Sequence, residues 1–171
     1  ALKLSKTGDQ WTVTTDQGEI SCSKLVLANN SFARELGVSR ARMAAVYTYA
    51  GLTPRLDQDV LDSLGSVTNW GLLPSHRLGS TLRRTADGRL LVRSAHSYEG
   101  ELATSKVTAL LQDRLWRRFP SLKGQDFEHV WGGAVGITLN GAPVWGEQQP
   151  GLFISGGCNG GGTVKGTLLG K

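Results

Sequence analysis

The chain has 171 residues, 39% of them apolar, enough for one domain, or one and a part, with a real core. Its net charge of +5, from 19 basic and 14 acidic residues, raises a nucleic-acid surface. The basic residues are scattered, however, apart from Arg83-Arg84 and Arg114/Arg117/Arg118. No RNA-binding or zinc-finger motif accompanies them, so no nucleic-acid partner is expected. No run of 18 apolar residues exists, so no membrane span is expected. The first residues carry no signal-peptide core, and two cysteines, Cys22 and Cys158, make no disulfide framework; a cytoplasmic setting is the default.

In chain order, Gln10-Trp11-Thr12-Val13-Thr14-Thr15 alternates, Asp16-Gln17-Gly18 turns, and Glu19-Ile20-Ser21-Cys22 returns. Lys24-Leu25-Val26-Leu27-Ala28 reads as a buried strand closing this meander. Asn29-Asn30-Ser31 caps a short helix over 32–36, which Gly37 stops. Residues 43–50 form an apolar β-rich run broken by Thr53-Pro54. A short helix spans 57–64, ended by Gly65. Trp70-Gly71-Leu72-Leu73-Pro74 is apolar and bounded by breakers. Strands at 78–84 and 89–94 flank the hairpin turn Thr85-Ala86-Asp87-Gly88. The best helix covers 104–119: Val107, Leu110, Leu111, Leu115 and Phe119 recur at three and four. Thr104 or Ser105 caps it and Pro120 ends it. A strand follows at 127–131. These elements predict an α+β fold with a mainly antiparallel sheet and packed helices, its sheet over about 41–131 with the 104–119 helix against it.

The C-terminal region differs in kind. Of the 23 glycines, 13 fall between Gly132 and Gly170, which marks a region of close backbone approach. Leu152-Phe153-Ile154 reads as a buried strand. Five glycines follow, Gly156, Gly157, Gly160, Gly161 and Gly162, and a helix starts near Thr163. Strand, glycine turn and helix N-terminus bring backbone N–H groups against an anion or polar heterocycle. Glycine allows positive φ and close approach there, so a valine at Gly161 is expected to harm both. A flexible tail is the alternative, disfavoured by the apolar strand and helix on either side.

Four passages give the chain a family resemblance. They are Lys24-Leu25-Val26-Leu27-Ala28; Arg84-Thr85-Ala86-Asp87-Gly88-Arg89-Leu90-Leu91; Phe119-Pro120-Ser121-Leu122 with Trp131-Gly132-Gly133; and Thr138-Leu139-Asn140-Gly141-Ala142-Pro143 with the glycine turn. In that order they resemble the C-terminal half of FAD-dependent amine and amino-acid oxidases of the D-amino-acid oxidase/glycine oxidase superfamily. The stretch from Trp131 to Pro143 looks most like the γ-glutamylputrescine oxidases. The resemblance implies three regions: 1–40, part of a FAD-binding α/β domain; 41–131, a substrate-binding domain; and 132–171, a return into the FAD-binding domain. The family begins with a strand, G-x-G-x-x-G and helix that hold the ADP half of FAD. This dinucleotide-binding segment is absent here, and the chain ends inside what should be a longer helix. The expectation is therefore a fragment that by itself neither retains FAD nor turns over an amine.

The same resemblance implies non-covalent FAD contacts at Ala28, Gly157, Asn159, Gly160, Gly161, Gly162 and Thr163. Backbone donors at Gly160 to Thr163 would meet the pyrimidine edge of the isoalloxazine, with Asn159 either a turn residue or a donor. Some relatives attach FAD through a cysteine near Trp131; Gly132 and Gly133 stand here instead. Amino-acid oxidases often hold the substrate carboxylate with an arginine just after the tryptophan–glycine pair. Ala134 and Val135 occupy that place, which favours an amine, or a carboxylate bound from elsewhere. Trp131, Arg83 and Tyr98 are the weak substrate candidates, with Trp131 read first as core and Arg83 and Tyr98 read first as solvated strand residues. His76, Arg77 and His96 read as solvated strand residues, His129 as a satisfied core histidine and Cys158 as a small packing residue. No catalytic residue stands out, and no spacing suggests a metal.

The implied activity is oxidation of the C–N bond of a small amine or amino acid, with hydride passing to flavin N5 and the imine hydrolysed. The rival is a non-enzymatic α+β binding module whose glycine turn holds a phosphate.

Overall fold

The computed structural model describes residues 1–76 and 78–171. The chain divides into two compact units, Ala1–Val46 with Ala134–Lys171, and Tyr47–Gly133.

The first unit opens with an antiparallel meander of β1 (Lys3–Thr7), β2 (Gln10–Thr15) and β3 (Gly18–Cys22). The turn at Gly18 is where the sequence placed it; β1 is an addition, a largely polar strand whose one apolar residue, Leu4, packs on the core. A second sheet has the order β10 (Val144–Gln149), β11 (Leu152–Gly156), β4 (Leu25–Leu27). β10 and β11 form a hairpin, whereas β4 lies parallel to β11 with Leu27 opposite Ile154. Leu27, Val144, Leu152 and Ile154 fill the core with Trp11, Ala33, Val38 and Met43. The strand at Leu25–Leu27 is buried on one side only: Leu27 is covered and Val26 is 64% exposed. The Trp11 indole nitrogen donates to the Pro150 carbonyl at 3.0 Å and pins the meander to the β10–β11 turn.

Where a short α-helix was expected after Asn29, the chain forms a 3-10 turn over Asn30–Arg34. Its amides at Phe32, Glu35, Leu36 and Gly37 all reach carbonyls three residues back. A segment this short cannot offset helix nucleation, and the tighter winding buries Ser31 and Ala33.

The second unit is built on a sheet ordered β6 (Trp70–Leu72), β7 (Thr81–Arg84), β8 (Leu90–Tyr98), β5 (Ala44–Leu52), β9 (His129–Ile137). β6, β7 and β8 pair antiparallel, Leu82 facing Val92 across the predicted hairpin. Thr85 holds the turn: its hydroxyl takes the Arg89 amide at 3.0 Å, and its own amide donates to the Arg89 carbonyl. α1 (Gln58–Ser63) is short, and its end is capped by Arg84. That buried guanidinium donates to the carbonyls of Leu61 and Gly65 at 3.1 and 2.7 Å.

α2 (Thr104–Arg118) covers the sheet and buries Val107, Leu111 and Leu115. These meet Tyr49, Leu56, Leu82, Leu90, Val92 and Leu122 in one core. The helix is capped at Ala103 rather than by the Thr104 or Ser105 hydroxyl; the Val107 amide closes the first turn on the Ala103 carbonyl. Among the described residues no helix is long and apolar enough to cross a membrane. The chain is thus α+β with mostly antiparallel sheets, as its sequence indicated.

Candidate functional site

In the first unit the site is the turn between β11 and α3 (Gly162–Leu169). One glycine of the turn and one beneath it are structural. A Cβ on Gly157, whose φ is +63°, would stand 2.6 Å from the Thr138 methyl. On Gly136, below the turn, it would stand 2.5 Å from the Asn30 Oδ1. Close packing of backbone on side chain is the reason for glycine at both.

Asn159 locks the turn in a left-handed conformation, φ +52°. Its backbone amide donates to the Gly136 carbonyl at 2.9 Å, and its Oδ1 accepts the Thr138 amide at 2.9 Å. Its Nδ2 donates to the Gly157 carbonyl at 2.6 Å and to the Thr138 hydroxyl at 3.0 Å. Of the two roles weighed for Asn159, its side chain performs the turn role. Gly157, buried beneath the turn, supports it in the same way.

Beyond Asn159 the surface is backbone. Gly160 has φ +80°, and a Cβ there would meet nothing within 4 Å. Gly161 caps α3 with φ −107° and offers no side-chain cap. Positive φ is therefore needed at Gly160, not at Gly161, and the backbone-strain argument belongs one residue earlier. A Cβ on Gly161 would make ordinary contact with the Lys165 Cε at 3.6 Å. The first helical bond runs from the Lys165 amide to the Gly161 carbonyl. The amides of Gly162, Thr163 and Val164 thus point out of the helix start without intrahelical acceptors, at the positive end of its dipole.

A cleft of about 240 Å³ opens beside this start, lined by Ala28, Asn30, Ser155, Cys158, Gly162 and Lys165 among others. Of the anticipated cofactor residues, Ala28 and Gly162 line it, Gly160, Gly161 and Thr163 form the adjoining loop and helix start, and Gly157 and Asn159 hold the turn. Asn30, Ser155 and Lys165 were not singled out from sequence. Asn30 carried a signal: an asparagine beside a turn, here at φ +52°, takes the Cys158 amide on Oδ1 at 3.4 Å and donates to the Cys158 sulfur at 3.3 Å. Lys165 Nζ donates to the Gly141 carbonyl at 3.2 Å, which keeps its cation at the cleft.

The second unit presents a polar sheet face opposite α2. Leu90 and Val92 point into the core, so Leu91 and Arg93 point away. Ala95 sits at φ +57°, a kink that resets the alternation. After it the Ser97 hydroxyl joins the Tyr49 hydroxyl on the core side at 2.7 Å, and His96 and Tyr98 share the open face with Arg93. Arg83, opposite Leu91, lies on that face too. So does Trp131: its neighbour Val130 packs on the core, and Gly132 lies under the Tyr49 ring.

The core reading of Trp131 is corrected by this alternation on an edge strand, which leaves it 46% exposed. His129 alternates likewise; it is exposed beside the Glu128 carboxylate at 3.5 Å instead of buried. Arg77 falls outside the described residues.

Arg93, not singled out from sequence, is the most ordered cation of this face. Nη1 donates to the Thr48 hydroxyl at 3.1 Å, and Nη2 to the Thr81 hydroxyl at 3.0 Å and the Gly79 carbonyl at 3.3 Å; Nε also reaches Thr81. All these acceptors are neutral, so its charge has no carboxylate partner among the described residues. Burial, and then the Arg93 guanidinium, hold the His96 imidazole below its ordinary pKa, favouring the neutral ring.

The family described as FAD dependent oxidoreductase (DAO) matches residues 1–171. The chain is 27% identical to "Probable oxidoreductase OrdL" of Rhizobium meliloti (strain 1021), over 100% of this chain and 39% of that protein. It is 27% identical to "Gamma-glutamylputrescine oxidoreductase" of Escherichia coli (strain K12), over 93% of this chain and 37% of that protein. Among solved structures, glycine oxidase from Geobacillus kaustophilus superposes with a TM-score of 0.72 at 16% identity, over 99% of this chain and 46% of that one. The chain thus spans less than half the length of these relatives and, matched from end to end, belongs to the FAD dependent oxidoreductase family.

Proposed function

We propose that the protein carrying this chain oxidises the C–N bond of a small amine or amino acid with non-covalently bound FAD. The observation that carries the reading is the β11–glycine turn–α3 start in a chain matched throughout by this family. The donor set fits the cofactor: outward amides at Gly162, Thr163 and Val164, the helix dipole and the Lys165 cation favour an electron-rich heterocycle edge. The chemistry FAD supplies when bound is acceptance of a hydride from the carbon bearing the amine, after which water hydrolyses the imine.

The chain's own residues bind and orient. Asn159 and Thr138 fix the turn so that the donors are set before binding. On the sheet face Arg93 is the carboxylate holder that Ala134 and Val135 do not supply, with Arg83, Tyr98 and Trp131 shaping the surroundings. Neutral His96 adds no second positive charge to repel an ammonium group. Residues 1–40 and 132–171 would serve the cofactor and 41–131 the substrate, completed by a dinucleotide-binding segment.

The experiment joins this chain to such a segment and mixes the flavoprotein anaerobically with a panel of amines and amino acids. Bleaching of the flavin band, with imine-derived carbonyl product, is the expected result. A stable yellow protein bleached by none of them overturns the proposal. For the 171 residues alone, equilibrium dialysis should find no stoichiometric FAD, because the pyrophosphate contacts are missing.

A further inference from the structure

We propose that the cleft beside the C-terminal half of α2 binds a small amphiphilic anion, an organic phosphate or carboxylate with an apolar ring or chain. The cleft lies wholly within the second unit and measures about 580 Å³, a size typical of small-molecule sites. It is on the helix-bearing side of the sheet, away from Arg83 and Arg93, and the reading is independent of the oxidase chemistry.

Among the described residues three guanidinium groups, Arg114, Arg117 and Arg118, line the cleft, and no acidic residue does. Their spacing of three and four places them on one face of the helix. Asp113 pairs with Arg117 from the previous turn. The guanidinium groups of Arg114 and Arg118 have no hydrogen bond or ion pair to a described residue. Two unneutralised guanidinium groups on adjoining turns repel each other, and one anion between them removes that cost. Complementing the helix dipole explains cations in the last turn, Arg117 and Arg118. It does not explain Arg114, one turn earlier, or the apolar wall.

That wall and an imidazole complete the site. Leu72 is 38% and Leu73 81% exposed, while buried Leu82 forms the floor. Adjacent exposed leucines in a concave polar setting suit a ring or short chain. The His76 Nδ1 accepts the Leu78 amide at 3.2 Å. Its Nε2 therefore carries the proton in the neutral ring and is a donor in either charge state. Fork donors, a ring N–H and an apolar wall together select an anion with an apolar body over a bare one.

The test is calorimetric titration of the full chain at low ionic strength with phenyl phosphate, phenylacetate and inorganic phosphate. Either phenyl compound should bind saturably, at least about tenfold tighter than inorganic phosphate, and the tighter of the two identifies the head group. The double variant R114Q/R118Q should weaken binding about tenfold or more, and Leu73→Ala several-fold. All three side chains are exposed, and the lost dipole contact of Arg118 opposes the relieved repulsion, so the thermal transition should move little; if the double variant misfolds, Leu73→Ala and Arg114→Gln singly carry the test. No saturation below about 10 mM, equal binding of phenyl and inorganic phosphate, or wild-type affinity in the variants would each overturn the proposal.

Discussion

The two units place their chemistry on different parts of the chain. In Tyr47–Gly133 side chains do both jobs: leucines and valines from α2 and the hairpin make the core, and Arg93, Arg83 and Tyr98 make the open face. In the other unit the candidate surface is the main chain itself, at Gly160 to Thr163, and side chains such as Asn159 and Thr138 only hold it in place. A side-chain site tolerates backbone variation and fails with one residue. A backbone site is indifferent to many neighbours but fails when the chain is forced off its path. The comparison can be broken or sharpened by substitution.

The largest effect should come from Leu111→Ala in the second unit's core. A fully buried leucine lost there should cost about 2–5 kcal/mol in urea unfolding. Next, Gly157→Val adds bulk at a site where even a Cβ lies 2.6 Å from Thr138, in left-handed backbone. It should cost about 2–4 kcal/mol by the same measurement; a near-neutral result would remove the packed half of the glycine turn from the account. Arg93→Met should raise KM for a carboxylate-bearing substrate about ten- to a hundredfold, leaving flavin content unchanged and kcat little altered. An unchanged KM would assign the sheet face another role.

Gly160→Ala sharpens the contrast, because space is open there and only φ opposes the methyl. Stability should fall by only about 1 kcal/mol, while bound FAD in the completed flavoprotein falls markedly. Equal losses at Gly157 and Gly160 would erase the distinction between packing and surface. The smallest effect concerns His96. Its folded pKa lies below its unfolded value, so the unfolded chain binds the extra proton. Stability should decline as pH falls below about 6.5 and level off beneath the folded value. His96→Gln should flatten that slope in a pH series of thermal melts; an unaltered slope would place the titration elsewhere.

Much of this was legible beforehand where the signal is local. The hairpin at Thr85 to Gly88, the stripe of α2 and the turn after Ile154 depend on neighbours a few residues away. Where the sequence misled, long-range pairing decided. Val26 looked like Leu27, but successive side chains of β4 point to opposite faces and the core covers only the face that carries Leu27. Trp131 and His129 looked like core residues, but β9 is an edge strand and alternation turns both outward. Arg93 gave no sign at all: its ordering depends on hydroxyls at Thr48 and Thr81, which only the sheet brings to it.

By itself, then, the amino-acid sequence determined the α+β class, the main helix and hairpin and the family, because periodicity, turn residues and motif order are written along the chain. Tertiary structure alone decided which glycines are packed and which are exposed, and that Asn159 spends its amide on the turn. It also decided that Arg93 stands without a carboxylate partner among the described residues and that Arg114 and Arg118 share one cleft. Those properties belong to pairs of groups far apart in sequence. Steric fit and electrostatic pairing exist only once the fold has set the distance between them.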